Sequence, residues 1–592
     1  AYKQYNKDKV DIWENKDSKG SWLVRFFKGA LIRVPAAINP SRLVAALLPT
    51  GWDARRFGIS DEIINQVDPV TLFALVATVE ALVRSGITDP YELYMYMHVS
   101  EVGNTTGATS GGIKSSCDVF RKRFMDSGIN ADAFQESFVS TVQAWVNMLL
   151  MSGSGPVKPI SGACATVAAS IDAAVESIQL GKARFMVAGG FEDFSEVSSI
   201  EFANVGATSN TLDEIASGRA PSEMCRPCTS TRSGVMEGHG ASVVTLMSAS
   251  AAIEMGVPIY GIVAMSGTAT DKQSESMPAP GKGILTSGRE AKSGCLPMHE
   301  LSVAYRQSQL KRRLDDLDTW KTKECMQTDS KDVAMADCST INDRDAWQKR
   351  INARYKRQKK CLQDVWGNEF WKQDHFVSPL RGSLAVWGLT ADDIGLASFH
   401  ATATVSNDKN ESDVLNAKLK HIGRTPGNVL PIVCQKWLTG HPKAPAAGFM
   451  LNGIIQSMRT GLIPGNRNAD NIDPGFQQYD YALYLSKTIQ TPGIKAALLT
   501  SFGFGQVGGE LLIVHPDYLF AAVDPTEIDN YNNKLAQREQ KSYRYWQDTL
   551  VGNHPFVQVK ENPPYTADQE KRVYLDPFAR AKYDAKTKQY KF

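Results

Sequence analysis

The chain has 592 residues, enough for more than one hydrophobic core, and its 43% hydrophobic and 22% charged composition is ordinary for a globular protein. A formal net charge of +2 argues against broad electrostatic attraction to nucleic acid or to anionic membrane. No window reaches the roughly 18 uninterrupted apolar residues of a membrane helix. The polar N-terminus lacks a secretory pattern, and nine scattered cysteines suit a reducing, cytoplasmic setting better than a disulfide framework. The first residue is Ala rather than Met, as in a processed chain or a fragment.

Residues 1–68 read as an extension laid over a core, broken by Pro35, Pro40 and Pro49. The apolar run from Val70 to Leu82 predicts a helix, and Tyr94 to Val99 a short strand running into the turn-rich loop Gly103–Gly107. A polar helix around Asp118–Phe124 and an apolar one over Val139–Met151 follow. A Gly/Ser/Pro-rich loop then leads to Ser161-Gly162-Ala163-Cys164. Behind it, Val167, Ile171, Ala174, Val175 and Ile178 recur at helical spacing, which places Cys164 at a strand-to-helix turn on a helix N-terminus.

Strands are predicted over Ala183–Ala188, Gly240–Met247 and Ile259–Met265, with a helix over Ser248–Met255; such alternation indicates a layered α/β fold. The segment 300–380, dense in Lys, Arg, Asp and Trp, reads as a helical surface insertion. Within it, Lys349–Lys360 reads as a solvated basic face, with docking of an acidic carrier domain as the sharper alternative. The α/β pattern resumes at Ile394–His400 and continues through Val429–Val433 and a helix over Ala444–Met458. It closes with Ala496–Ser501 and Leu511–Val514, and the tail 516–592 reads as peripheral. Two halves, 69–260 and 261–515, thus flank the insertion.

Four segments carry candidate chemistry. Cys164 is flanked by the small residues Gly162, Ala163 and Ala165, and a helix N-terminus lowers a thiol pKa by stabilising the thiolate. His400 ends an apolar strand and opens His400-Ala401-Thr402-Ala403-Thr404, with Asp408 and Glu411 beyond. Lys436 and His441 frame a glycine turn, and Ser501–Gly509 is a glycine loop bearing Phe502 and Phe504. Each alone has a bland reading: a packed cysteine, a satisfied core histidine, a surface turn, a hairpin corner. Cys225-Arg226-Pro227-Cys228 has CxxC spacing but no second paired motif, so two ordinary thiols are favoured over a metal or redox site. The glycine-rich loop Gly103–Gly112 lacks the ending of a phosphate-binding loop.

Together the four segments resemble, in order and detail, the signature set of β-ketoacyl synthases of the thiolase superfamily. Further blocks, among them Pro49–Asp53, Asp68–Phe73, Ala144–Met148, Ala207–Leu212 and Pro278–Gly283, resemble the ketoacyl synthase region of the fungal type I fatty acid synthase alpha subunit over most of 45–515. The resemblance implies a thiolase-like fold of two similar halves in five αβαβα layers. It implies Cys164, His400 and His441 as catalytic residues, Lys436 and Glu411 as a supporting ionic pair with Asp408 beside them, and an oxyanion hole from the Cys164 and Phe504 N–H groups. Phe504 would also gate the site, and Thr402 and Thr404 would bind a pantetheine arm. It implies no metal and no cofactor held by the domain itself, phosphopantetheine arriving on an acyl carrier protein, acyl and malonyl thioester substrates, and a homodimer within a larger alpha/beta complex.

The chain departs from the broad family at Ala401 and Ala403, where glycines are usual, at Ala444-Pro445, and at Gln506 and Gly508. These departures and the divergent stretch 326–341 lean towards a secondary-metabolic synthase making a short hexanoyl starter, beside the primary fatty acid role. A non-catalytic, synthase-like scaffold would lack the nucleophile that Cys164 supplies. The family's flanking carrier, reductase and transferase regions have no counterpart in these residues, as for an excised condensing domain.

Overall fold

The computed structural model describes residues 2–32, 41–125, 128, 132–272, 281–290, 298–330 and 341–592. Pro35, Pro40, residues 278–280 and the centre of the divergent stretch, 331–340, lie outside the described residues. Helix α1 (Pro69–Arg84) begins where Asp68 accepts a 3.1 Å bond from the Val70 N–H and Pro69 takes a position needing no donor. Strands β1 (Val102–Asn104), β2 (Phe185–Glu192) and β3 (Gly240–Met247) form one sheet, β2 running parallel to β1 and antiparallel to β3. Between β1 and β2 comes helix α2 (Thr166–Gln179), and after β2 the short helix α3 (Glu196–Asn204).

The second sheet is built from β4 (Ile262–Thr270), β5 (Ile394–Ser398), β6 (Leu430–Val433), β7 (Ala482–Tyr484), β8 (Ala496–Gly503) and β9 (Val507–Val514). Its order is β7-β6-β5-β8-β9-β4. Helices α4 (Val303–Ser330) and α5 (Ile341–Trp366) form the insertion, α6 (Val405–His421) follows β5, α7 (Ala446–Thr460) follows β6, and α8 (Pro525–Leu550) lies in the tail.

The strand period of two sorts the side chains into layers. Phe185, Val187 and Phe191 of β2 face the outer helix α1, meeting Leu75, Val79 and Leu82. Their alternates Met186 and Ala188 face inward, onto Val167 and Ile171 of α2 and Met450 and Ile454 of α7. From the other side, Leu499 of β8 and Leu511 and Ile513 of β9 reach the same central layer. Leu498, Leu512 and Val514 point the opposite way, to Leu415 and Leu419 of α6. Helix, sheet, paired helices, sheet and helix are therefore stacked in the expected five layers.

Three expectations need correction. Tyr94–Val99 is not a strand: Pro90–Met95 is a 3-10 helix capped by Asp89, and the strand begins at Val102. Tyr94–Met97 is an unbroken apolar run, so the sequence carries no period that separates strand from helix; in the fold Met95 is exposed while Tyr94, Met97 and Val99 are buried. The tail is not merely peripheral either. Tyr531, Arg538 and Tyr545 of α8 are buried, and Arg538 donates to the carbonyls of Met255 (2.6 Å) and Gly86 (3.0 Å) and pairs with Glu92. The described part of the insertion is helical as expected, and Asp318–Tyr355 and Cys325–Gln348 contacts set α4 and α5 antiparallel. The third correction concerns the approach to Cys164, which is an extended loop joined to Gly107 by an isolated bridge at Ile160 rather than a regular strand. Among the described residues, no helix is long and apolar enough to cross a membrane.

Candidate active site

Cys164 occupies a single 3-10 turn, Ala163–Ala165, set immediately before α2. Thr166 holds the turn, donating to the Ala163 carbonyl (2.7 Å) and accepting from the Gly162 N–H (3.0 Å). Ala163 adopts φ 47°, a left-handed backbone that costs an alanine about 1–2 kcal/mol. The β8–β9 hairpin closes on this turn. A Cβ on Gly503 would lie 2.3 Å from the Gly162 carbonyl oxygen and 3.2 Å from the Cys164 nitrogen, so only glycine allows the approach. Ser501 adds a bond from its hydroxyl to the Cys164 carbonyl (2.9 Å).

His400 follows β5 and is held from two directions. The Glu411 carboxylate, nearly two helical turns into α6, accepts from the His400 N–H (2.6 Å), the Ala401 N–H (2.9 Å) and the Thr500 hydroxyl. Lys436 Nζ donates to the His400 carbonyl and lies 3.3 Å from its Nδ1. An ammonium has only protons to give, so the Lys436 contact makes Nδ1 an acceptor and puts the imidazole proton on Nε2; the Ser501 Oγ also lies 3.2 Å from Nδ1. The expected Lys436–Glu411 ionic pair is therefore not a direct salt bridge. The two charges hold different parts of His400 and feel each other at longer range.

His441 enters from a chain crossing between the halves. Its N–H donates to the Met236 carbonyl (2.7 Å), and its carbonyl accepts from the Gly238 N–H (3.0 Å). The rings of His400 and His441 lie edge to face, 5.0 Å between centroids. The Cys164 sulfur and one nitrogen of each ring all lie within 4.8 Å of one another, and all three residues are buried. A zinc-type site orients its imidazoles with carboxylates, whereas here an ammonium faces His400, which opposes a dication.

Burial dominates the protonation of this cluster. It pushes the Cys164 thiol up to about 12, against the pull of Lys436; Glu192 reinforces the rise and Lys443 opposes it. The lowering expected from a helix N-terminus is outweighed because the sulfur is enclosed by protein. Burial, Lys436 and the partner ring hold His400 well below the usual imidazole range, and burial with Lys436 and Lys443 does the same for His441. Burial lowers Lys436 to about 8 against Glu411 and raises Glu411 to about 7 against its three donors. Two neutral imidazoles beside an un-ionised thiol result.

A cavity of about 350 Å³ opens onto this cluster. Cys164, His400, His441, Thr402, Thr404 and Phe504 line it, whereas Lys436, Glu411 and Asp408 stand behind. The Thr402 and Thr404 hydroxyls are 3.0 Å apart, and Thr404 also caps α6 through the Asn407 N–H (3.3 Å). Phe504 sits in the turn between β8 and β9, so the hairpin corner and the pocket wall are the same feature; its ring lies 5.7 Å from Phe202. Asp408 accepts from the Cys228 N–H (2.9 Å), and burial raises it to about 6. The CxxC cysteines do not pair with each other: Cys228 Sγ lies 3.6 Å from Cys434 Sγ, and all seven described cysteines are free.

Ala401 and Ala403 both adopt left-handed backbone, φ 40° and 60°, which explains why glycine suits these positions. The Ala403 methyl fills a space beside Met224, Cys225 and Met236. Sequence reasoning missed Phe202, Glu237 and Lys443, which also line the cavity. They come from separate segments, with no mutual spacing to mark them; Lys443 alone carried a signal, being a lysine two residues from His441.

A thiol at a helix N-terminus, facing two imidazoles inside an αβαβα stack, is the site of a condensing enzyme, and the comparisons agree. Residues 34–252 match the β-ketoacyl synthase N-terminal domain and residues 372–470 the C-terminal domain; the chain belongs to this family. It is 50% identical over 584 residues to the fatty acid synthase subunit alpha of Schizosaccharomyces pombe, covering 98% of this chain and 32% of that protein. It is 48% identical over 590 residues to the Saccharomyces cerevisiae subunit (99% and 31%) and 43% over 581 residues to that of Aspergillus oryzae (98% and 32%). The chain thus spans about a third of the length of these relatives. Among solved structures, the noncanonical ketosynthase FabY of P. aeruginosa shares the fold at TM-score 0.68 and 17% identity, over 93% of this chain and 73% of that one. A β-ketoacyl synthase of Burkholderia phymatum does so at TM-score 0.54 and 18% identity, over 80% and 88%.

Proposed function

We propose that the chain performs decarboxylative Claisen condensation in fatty acid synthesis, with acyl and malonyl groups delivered as thioesters on an acyl carrier protein. The observation that carries this reading is the enclosure of the Cys164 sulfur and both imidazoles within 4.8 Å at one cavity. Sulfur attacks the thioester carbonyl, the C–S bond to pantetheine breaks, and the thiol proton passes to the departing pantetheine thiolate. The N–H groups of Cys164 and Phe504 serve the oxyanion. In the second half-reaction the malonyl C–C bond to the carboxylate breaks, CO₂ leaves, and the electron pair becomes an enolate. The Nε2–H of His400, with His441, donates to the enolate oxygen. The enolate carbon attacks the acyl carbon, the C–S bond breaks, and the Cys164 thiolate takes up a proton from water, the one proton that the overall condensation consumes. No metal or redox group takes part in these steps.

Thr402 and Thr404 are proposed to bind the pantetheine arm, and Phe504 to gate the cavity. A homodimer in a larger complex fits the exposed edge near Val157, which the first sheet leaves beyond its bridge to Asn104. Free cysteines suit a cytoplasmic setting. The test separates the half-reactions: His400→Ala and His441→Ala are expected to keep acyl transfer to Cys164 but to lose CO₂ release from malonyl carrier. Undiminished CO₂ release in both variants would overturn the assignment.

A further inference from the structure

A buried ion pair stands in the cavity wall beside Cys164 without a part in the chemistry above. Lys443 Nζ lies 3.1 Å from Glu237 Oε1, with the two side chains only 6% and 7% exposed. The same ammonium sits over the rings of Phe194 (5.5 Å) and Phe202 (5.3 Å). Lys443 also adopts φ 63°, a left-handed backbone unfavourable to a lysine. Taking two charges out of water is costly, and here the fold adds backbone strain at one of them. Both costs fall on residues lining the cavity that holds the nucleophile.

The pair is well placed to act on the sulfur. The charged groups that Cys164 feels are Lys436, Glu192 at the end of β2, and Lys443; the two facing imidazoles are neutral. Lys443 is in turn faced by Glu237 and Glu192, the latter also accepting from the Thr109 N–H (3.0 Å). Lys436 is committed to His400, which leaves Lys443 as the cation whose field is set by a separate partner. Glu237 is also tied to the site through its backbone, bridged to His441.

We propose that Lys443 and Glu237 form a charge pair that sets the reactivity of Cys164. The ammonium stabilises the thiolate across a low-dielectric cavity, and Glu237 both anchors it against the two rings and limits its field. Lys443 is thus a positioning residue acting through Cys164. The inference rests on Cys164 being the nucleophile, but its test reads the thiol itself rather than condensation.

The test is the pH–rate profile of Cys164 alkylation by iodoacetamide, a neutral reagent, in the full chain, quantified on the peptide carrying residue 164. Lys443→Gln is expected to move the profile about one unit to higher pH, about tenfold slower at a fixed pH below the plateau. Glu237→Gln is expected to move it the opposite way, and Lys443→Arg to leave it near the wild type. Superimposable profiles, or shifts of Lys443→Gln and Glu237→Gln in the same direction, would overturn the proposal. If Lys443→Gln does not fold, Glu237→Gln decides alone, and an unchanged or upward shift refutes it. An acyl adduct missing from Cys164 would instead sink the nucleophile assignment and leave this profile readable.

Discussion

Replacing Glu411 by glutamine exchanges one carboxylate oxygen for an NH₂ at nearly constant volume, and the structure makes its consequence calculable. The carboxylate accepts three bonds, from the N–H groups of His400 and Ala401 and from the Thr500 hydroxyl, with no donor to offer in return. A glutamine amide has one oxygen. In its better orientation the oxygen faces His400 and Thr500, and the NH₂ then points at the Ala401 N–H, donor against donor. One charge-assisted bond is lost and a buried N–H is left unpaired, about 2–4 kcal/mol together. The local escape is a shift of the 400–401 backbone, which already carries strain at Ala401, and any shift moves the His400 ring off the cluster. Condensation is therefore expected to fall about 30- to 700-fold, at about tenfold per 1.4 kcal/mol. Acyl transfer to Cys164 should fall far less, and the melting temperature should drop. Parallel stopped assays of acyl transfer and of CO₂ release, with a thermal melt, read all three. A Glu411→Gln variant with wild-type stability and CO₂ release would refute the reasoning.

Two further outcomes follow from the same geometry. Because burial pushes the Cys164 thiol up to about 12, its thiolate fraction in the free protein should climb about tenfold per pH unit between about pH 7 and 10. The sign for stability follows: a folded-state pKa above the unfolded one means this contribution is present below the unfolded value and lost as pH rises towards 12. An alkylation rate already flat below pH 8 would contradict this. Gly503→Ala places a Cβ 2.3 Å from the Gly162 carbonyl oxygen, so acyl transfer should drop more than about 100-fold as the hairpin lifts from the Cys164 turn; unchanged transfer in a folded variant would mean the hairpin corner does not shape the site.

Much of this site was legible because its chemistry sits in contiguous motifs. Cys164, His400 and His441 each lie next to the turn or cap that positions them, and β3 was read from Gly240 to Met247 as observed. What escaped reading is tertiary. Tyr94–Val99 has strand-like composition, but its unbroken apolar run Tyr94–Met97 carries no period that marks a strand, and in the fold Met95 is exposed. The raised Cys164 pKa comes from enclosure by segments hundreds of residues apart, which outweighs the local helix end. The family resemblance implies Lys436 and Glu411 as an ionic pair, whereas their bonds run to His400. Glu237, Phe202 and Lys443 meet only in the folded cavity.

The most direct measurement is the mass of the protein after incubation with an acyl-carrier donor, followed by mapping of the modified peptide. One acyl group per chain is expected, on Cys164, absent in Cys164→Ala and discharged by malonyl carrier with release of a β-ketoacyl product. An acyl group mapping to another residue, or persisting in Cys164→Ala, would contradict the account.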